Sequence, residues 1–159
     1  MQRKNNKFNE ILKKKKRHKF HEQSELINIV WPSFVEIDGC VLIQNEENPI
    51  KKLNMDFILE QFGDRTGFEA AENHVHMIDV SKFFEKHPYE GLRFAMKLVN
   101  IWAVKLKLDF PDYKFVIILS FQDDDSIIRF HRMRENEQPW VEIDNLDGYK
   151  DEGILVEIV

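Results

Sequence analysis

The chain has 159 residues, of which 43% are apolar and 32% are charged, and it contains 13 Phe, 3 Tyr and 3 Trp. This composition suffices for one compact domain with a buried core, and it excludes a chain that is disordered over its whole length. No apolar stretch approaches the ~18–20 residues of a membrane-spanning helix, and no apolar region of a secretory signal follows the basic start, so we expect a cytoplasmic protein without membrane contact. The lone cysteine, Cys40, excludes an internal disulfide and fits a reducing compartment.

Charge divides the sequence into two parts. The 23 basic and 28 acidic residues give a net charge of −5. Residues 1–22 carry nine basic and two acidic side chains, whereas residues 23–159 carry 14 basic and 26 acidic ones, a net charge of −12. We therefore predict a basic N-terminal arm over residues 1–22, partly helical or flexible, and a single acidic domain over residues 23–159. Such a domain repels nucleic acid and anionic membranes, and it attracts basic protein surfaces.

Hydrophobic periodicity and turn residues predict the elements of the first half. In chain order these are a short helix around Phe8–Leu12, a hairpin of strands Phe34–Ile37 and Cys40–Ile43, a helix over Leu53–Phe62, and a strand over His74–Val80. Asp38-Gly39 supplies the positive φ angles that a tight hairpin turn needs, and Gly63 is a typical helix terminator. Residues 63–73 are predicted to be loop-like, with a possible helical turn over Phe68–Glu72.

The second half contains the clearest helix and the most apolar strand. Its predicted elements are a helix over Tyr89–Lys107 opened by Pro88, a strand over Phe115–Phe121, a turn over Gln122–Ser126, a strand over Ile127–Met133, a polar loop over Arg134–Trp140, a short helix over Leu146–Lys150 and a strand over Ile154–Val159. An apolar run such as FVIILSF indicates a strand buried on both faces. The order predicts a single α+β domain with a mostly antiparallel sheet of about five strands and one long helix packed on a face.

Histidines supply the strongest candidate for a metal site. His74 and His76 are two residues apart on a predicted strand and therefore project to the same face, where His131 or Glu72 is a possible third ligand. The simpler interpretation is that both histidines line a solvent-exposed edge. We find no phosphate-binding glycine loop and no dinucleotide or hydrolase motif. We therefore expect no catalytic residues, no cofactor and no resident metal.

Acidic loops near the C-terminus are the candidate partner-binding residues. Asp123, Asp124 and Asp125 occupy a predicted turn, where they form a solvated loop, a negatively charged contact or, less simply, a cation site. Trp140 follows Pro139 in a polar stretch and is either an interface anchor or a cover over the core. We predict partner contacts, on loops at neighbouring sheet ends, from Asp123, Asp124, Asp125, Glu135, Glu137 and Trp140.

The lysine run is the one feature typical of nucleic-acid binding. It comprises Lys13, Lys14, Lys15, Lys16, Arg17 and Lys19. A run of this kind binds phosphates without sequence preference. Its alternatives are a solvated arm, a strap on the acidic domain or a contact within a dimer.

Residues 90–159 resemble small bacterial immunity proteins of polymorphic toxin systems. The resemblance lies in the order of a helix (Leu92–Leu108), the stretch FVIILSFQDDDSIIRFHRMRENEQPW and the closing DGYKDEGILVEIV. It implies a cytoplasmic α+β protein without catalytic activity that binds and blocks a cognate toxin domain. The lysine-rich start is not part of the pattern.

Two functions follow from these observations. The first is a non-enzymatic inhibitor that blocks a basic toxin or nuclease domain through an acidic surface. The second is a nucleic-acid-associated protein of a phage or mobile element that uses the Lys-rich arm. A metal enzyme that uses His74, His76 and His131 is a third, weaker possibility.

Overall fold

A computed structural model describes residues 21–45 and 48–159, with side chains from Leu26 onward. The elements are α1 (His21–Val30), β1 (Phe34–Ile37), β2 (Cys40–Ile43), α2 (Met55–Phe62), α3 (Arg65–Glu72), β3 (His74–His76), α4 (Met77–Val80), α5 (Lys82–Lys86), α6 (Pro88–Asp109), β4 (Phe115–Gln122), β5 (Asp125–Arg132), a 3₁₀ helix (Ile143–Gly148) and β6 (Gly153–Ile158). The predicted α+β class is confirmed. Among these residues no helix is both long and apolar enough to cross a membrane.

The strands form two antiparallel sheets instead of one sheet of about five strands. One sheet is the hairpin β1–β2, and the other has four strands in the order β3-β5-β4-β6. The hairpin turn is as predicted, because Asp38 and Gly39 both adopt positive φ angles of 50° and 82° and the register pairs Ile37 with Cys40. The hairpin stays separate because side chains, not a neighbouring strand, satisfy part of the β2 backbone.

Helix α6 is the long helix predicted from the sequence, and it covers one face of the four-stranded sheet. It begins at Pro88, whose fixed φ and missing N–H suit the first turn. Trp102 is fully buried on this helix and packs edge-on against Phe130 of β5. The indole N–H of Trp102 donates to the carbonyl of Ile29 at 2.8 Å, which ties α1 to α6.

The opposite face of this sheet, called here the outer face, is also covered. Val116 and Ile118 of β4 are buried beneath Val141, which lies in the segment that follows β5. Ile143 and Leu146 of the 3₁₀ helix complete this second cluster. Strand β4 is therefore buried on both faces, as its apolar sequence predicts.

Three parts of the sequence fold differently from the prediction. The strand that begins at His74 ends at His76, and residues 77–80 form α4, because the Asp125 carboxylate accepts the backbone N–H of Ile78 at 3.3 Å. Residues 65–72 form α3, with Asp64 as the N-cap that accepts the N–H of Gly67 at 2.7 Å. Helix α1 is additional and spans the predicted arm boundary at residue 22. The short helix predicted around Phe8–Leu12 and the lysine run lie outside the described residues.

Two polar side chains of α3 and its C-cap join the two sheets. Glu69 is fully buried and accepts the backbone N–H of Val41 in β2 at 2.7 Å and that of Arg132 in β5 at 2.6 Å. Asn73 accepts the N–H of Ile43 at 2.9 Å, and its amide donates to the carbonyls of Val41 in β2 at 2.8 Å and Phe130 in β5 at 3.4 Å. These contacts replace the strand-to-strand bonds that would otherwise satisfy the edge of β2.

Arg134 neutralises the Glu69 carboxylate. Its two terminal nitrogens lie 2.7 and 3.0 Å from the two carboxylate oxygens, the bidentate arrangement that guanidinium groups favour. Burial raises the pKa of Glu69, and the hydrogen bonds from Arg134 and the two backbone amides oppose this shift. Arg134 also donates to the carbonyl of Gly39 at 2.8 Å, so the ion pair reaches the turn of the hairpin.

Removing one member of this ion pair should destabilise the fold strongly. We expect Glu69→Ala to lower the free energy of unfolding by about 3–5 kcal/mol, because it leaves Arg134 and two backbone amides without their acceptor. Urea denaturation followed by circular dichroism measures the change. Glu72→Ala is the matched control, since Glu72 lies on the same helix but is exposed, and it should change stability by less than about 0.5 kcal/mol. Equal effects of the two substitutions would contradict the role assigned to Glu69.

Candidate functional site

One end of the four-stranded sheet is strongly acidic. Asp123 and Asp124 form the two-residue turn between β4 and β5, with positive φ angles of 50° and 60°. Asp151 and Glu152 come to the same end, because Gly153 at the start of β6 pairs with Phe121 just before that turn. We call these four residues the acidic end. In the described part of the chain, no basic group forms an ion pair with any of the four.

Asp125 belongs to the structure of this end rather than to its free surface. Its carboxylate lies 2.6 Å from Nδ1 of His76 and also accepts the N–H of Ile78. It is partly buried, whereas Asp123 and Asp124 are exposed. Of the three predicted aspartates, two are therefore available to a partner and one holds α4 beside β5.

Glu135 and Glu137 lie at the other end of the sheet. Strand β5 runs for eight residues from Asp125 to Arg132, a span of roughly 25 Å at ~3.3 Å per residue. Glu137 accepts the backbone N–H and the hydroxyl of Thr66 at 2.8 and 2.7 Å, so α3 already holds it. Glu135 is exposed. The predicted acidic contacts thus do not form one cluster on neighbouring loops, and Asp151 and Glu152 take the place that Glu135 and Glu137 were expected to occupy.

Trp140 lies on the outer face and is available for contact. Its side chain is 47% exposed, whereas that of Val141 beside it is buried and covers the core. The Trp140 ring stacks near Arg129, with the guanidinium carbon 5.7 Å from the ring centroid, within the range of cation–π attraction. Of the two roles considered for Trp140, the structure gives the covering role to Val141 and leaves the indole facing solvent.

Arg129 is a cation without an ion-pair partner among the described residues. It is partly buried, and burial lowers its pKa, although the nearby Glu152 carboxylate acts in the opposite direction. Glu152 of the acidic end is therefore close enough to influence Arg129, which in turn contacts Trp140. Arg129 therefore links Glu152 of the acidic end to Trp140 of the outer face.

His131 holds Trp140 in place from below. It is 1% exposed, and its Nε2 accepts the backbone N–H of Trp140 at 3.3 Å. Its Nδ1 lies 3.1 Å from the carbonyl of Arg132, a geometry in which Nδ1 carries the proton and Nε2 accepts. Burial lowers the pKa of His131, so the neutral imidazole that this arrangement requires is the favoured form.

The three histidines of the metal hypothesis are engaged separately. The ring centroids of His74 and His76 are 5.2 Å apart, and His74 Nδ1 bonds to the carbonyl of Ala71. His76 is paired with Asp125, and His131 is committed to Trp140. Within residues 21–45 and 48–159, no three His, Cys, Asp or Glu side chains are arranged to hold a metal ion.

Cys40 is buried in the cluster between the hairpin and α2. Burial, followed by the charge of Glu69, raises the pKa of its thiol to about 11. The thiolate, which is the reactive form, is therefore disfavoured at neutral pH, and Cys40 acts as a small core residue.

A family model described as "Uncharacterized protein PM0498 family" matches residues 3–159. The chain belongs to this family. It is similar to "Uncharacterized protein PM0498" of Pasteurella multocida (strain Pm70), with 29% identity over 144 residues that cover 86% of this chain and 84% of the relative. No solved structure matches the chain. The family match includes the basic N-terminal residues as well as the acidic domain.

His131 should make stability depend on pH. Its pKa is lower in the folded protein than the ordinary value of 6.5, so the unfolded chain binds more protons as the pH falls below that value. We expect the free energy of unfolding to fall between about pH 7.5 and about pH 5.5, as measured by urea denaturation. His131→Gln, which cannot charge, should reduce this dependence, whereas the same change at exposed His87 should preserve it. An unchanged pH profile in His131→Gln would be evidence against a neutral buried imidazole.

Proposed function

We propose that this protein is a non-enzymatic, immunity-type inhibitor that binds a basic surface of a toxin or nuclease domain. The observation that carries the proposal is the link, through Arg129, between the acidic end and the exposed Trp140. Four carboxylates without an ion-pair partner in the described chain lie at one end of the sheet, and one of them, Glu152, acts on Arg129, which contacts an indole that is 47% exposed and is positioned by a buried histidine. The resemblance of residues 90–159 to immunity proteins supports the same assignment.

Charge and aromatic contact have different roles in this proposal. Residues 23–159 carry a net charge of −12, and carboxylates gathered at one end raise the rate of encounter with a basic domain. Trp140 supplies apolar contact area, and tryptophan is among the residues that most often dominate binding energy at interfaces. Arg129 beside it can pair with a carboxylate of the partner. The acidic end therefore governs association, and Trp140 governs the lifetime of the complex.

The compartment follows from the chemistry of the chain under the same proposal. Cys40 is the one cysteine and is buried, so the fold uses no disulfide. This pattern is typical of proteins kept in a reducing environment, and we place the inhibitor in the cytoplasm.

A nucleic-acid-associated function is the second candidate. The observation in its favour is the run of six basic residues among positions 13–19. The negative charge of residues 23–159 opposes nucleic acid, so binding would depend on this run and fall steeply with salt. Removal of residues 1–20, which leaves the start of α1 intact, separates the two candidates. Loss of DNA retention on a gel supports this candidate, and unchanged inhibition by the shortened chain supports the inhibitor.

Neutralising the acidic end should slow binding to the toxin domain. The first step is to express the product of the adjacent gene, which should arrest growth, and to co-express this chain, which should restore growth. The association rate of the purified pair is then measured. In Asp123→Asn/Asp124→Asn/Asp151→Lys the association rate should fall about tenfold at low salt and less at high salt. Asparagine is chosen for the turn because it tolerates positive φ.

The control for this variant carries the same change in charge elsewhere. Glu60→Lys/Asp112→Lys alters one exposed residue of α2 and one exposed residue between α6 and β4, which leads into the end of β4 opposite the acidic end. It should change the association rate much less. Equal slowing in both variants would show that net charge alone acts. If the unmodified chain neither restores growth nor binds the product of the adjacent gene, the proposed inhibitor is overturned.

Truncation of Trp140 should shorten the lifetime of the same complex. We expect Trp140→Ala to weaken affinity about tenfold to a hundredfold, mainly through faster dissociation. Trp31→Ala is the matched control, because Trp31 is 50% exposed but lies at the end of α1. Surface plasmon resonance measures both, and thermal unfolding verifies the folds. Unchanged dissociation from Trp140→Ala would remove Trp140 from the interface.

A further inference from the structure

The two edges of the four-stranded sheet differ in length. At one edge, β3 has three residues and leads directly into α4. At the other edge, β6 has six residues, from Gly153 to Ile158. Short edge strands resist pairing with other chains, whereas long ones invite it. The β6 edge is therefore the one to consider as a contact surface.

The hydrogen-bond pattern shows which backbone groups of β6 point away from the sheet. Phe115 and Val159 exchange both backbone hydrogen bonds, at 2.8 and 3.0 Å. In an antiparallel ladder the inward-bonding residues alternate, so Glu157 and Leu155 also bond toward β4. The amides and carbonyls that point outward belong to Ile154, Val156 and Ile158. No described residue forms a hydrogen bond with these outward groups.

Apart from the charge of Glu157, the β6 edge lacks the features that usually block strand addition. Its sequence, GILVEI, contains neither proline nor lysine. Leu155 is 36% exposed and Ile158 is 49% exposed, so apolar side chains flank the free backbone groups. Proline, lysine and bulges are the usual protections of an exposed edge.

Charge determines which strand can be added. Glu157 is exposed on β6, and Asp151 and Glu152 of the acidic end immediately precede the first residue of this strand. Antiparallel pairing of two copies of β6 centred on Val156 would place Glu157 of each copy opposite Leu155 of the other, so the two Glu157 side chains would be diagonal neighbours on one face, which is unfavourable because like charges on paired strands repel. A strand that places lysine or arginine across from Glu157 would instead be attracted to it. The edge therefore disfavours a second copy and favours a basic segment.

We propose that β6 binds an extended basic segment of the partner protein, which adds to the sheet beyond β6. Backbone hydrogen bonds to Ile154, Val156 and Ile158 hold the segment, and a basic side chain opposite Glu157 selects it. The inference rests on the proposed inhibitor function, since it specifies how the basic partner docks next to the acidic end.

Proline at an outward-facing position provides the test. Ile158→Pro removes one outward N–H and leaves the bonds between β4 and β6 in place, and edge strands tolerate proline at such positions. Ile158→Ala is the matched control, because it removes most of the side chain but keeps the N–H. The probe is a blocked nine-residue peptide of alternating lysine and valine. A lysine–glycine peptide of equal charge controls for attraction without strand formation.

The expected result is local to the edge. The valine peptide should slow amide hydrogen exchange at Ile154, Val156 and Ile158 at least about tenfold, as measured by NMR. Ile158→Pro should weaken its binding about tenfold, and Ile158→Ala should weaken it less. Unchanged exchange at saturating peptide would overturn the proposal. Protection that rises with protein concentration in the absence of peptide would overturn it in favour of a second copy.

The outcome can be separated from that of the proposed function. If Ile158→Pro inhibits the toxin domain normally while Trp140→Ala does not, the edge proposal fails and the inhibitor stands. If the peptide protects the edge but no toxin domain is bound, strand addition stands and the inhibitor fails.

Discussion

The fold depends on one buried carboxylate. Glu69 accepts hydrogen bonds from Val41, Arg132 and Arg134, and these three donors belong to the hairpin, the four-stranded sheet and the segment that follows it. An unpaired carboxylate in this position would be strongly unfavourable, so the three parts stabilise one another through Glu69. Asn73, one turn later, bridges β2 and Phe130 of β5 in the same way with neutral hydrogen bonds. The two sheets thus act as one unit although no strand connects them by backbone pairing.

The same segment that neutralises Glu69 also builds the candidate site. After β5 the chain provides Arg134 to the interior, Glu137 to α3 and Trp140 to the outer face. The position of Trp140 is fixed on both sides, by His131 at its backbone and by burial of Val141 beneath the same segment. An aromatic side chain held in this way loses little conformational freedom on binding, which favours affinity.

The sequence predicted the elements whose patterns are local and strong. The hairpin around Asp38-Gly39 and the end of α2 at Gly63 depend on glycines that reach positive φ, the helix from Pro88 depends on the fixed φ of proline, and all three are confirmed. The failures have a common physical cause, which is contact between residues distant in sequence. The β3 strand ends where it does because of Asp125, 49 residues from its partner His76. The separation of the two sheets depends on Glu69, whose role no periodicity reveals.

The sequence predicted only part of the candidate site, because the rest depends on contacts between residues distant in sequence. Loop position and residue type identified Asp123, Asp124 and Trp140, which the structure shows to be exposed. The register of β4 and β6 brings Asp151 and Glu152 to Asp123, and only strand order reveals this neighbourhood. Glu137 carries the same charge as its exposed neighbours, but its carboxylate already accepts hydrogen bonds from the hydroxyl and the backbone N–H of Thr66. A carboxylate in a loop is thus not evidence of a free carboxylate.

The turn between β4 and β5 has a consequence for engineering. Asp123 and Asp124 both adopt left-handed backbone angles, a conformation that glycine and asparagine reach more easily. Exchanging the pair for Asn-Gly would relax the backbone and remove two negative charges at once. A more durable scaffold is therefore accessible by a two-residue change, but it would lose charge where the proposed basic partner would approach.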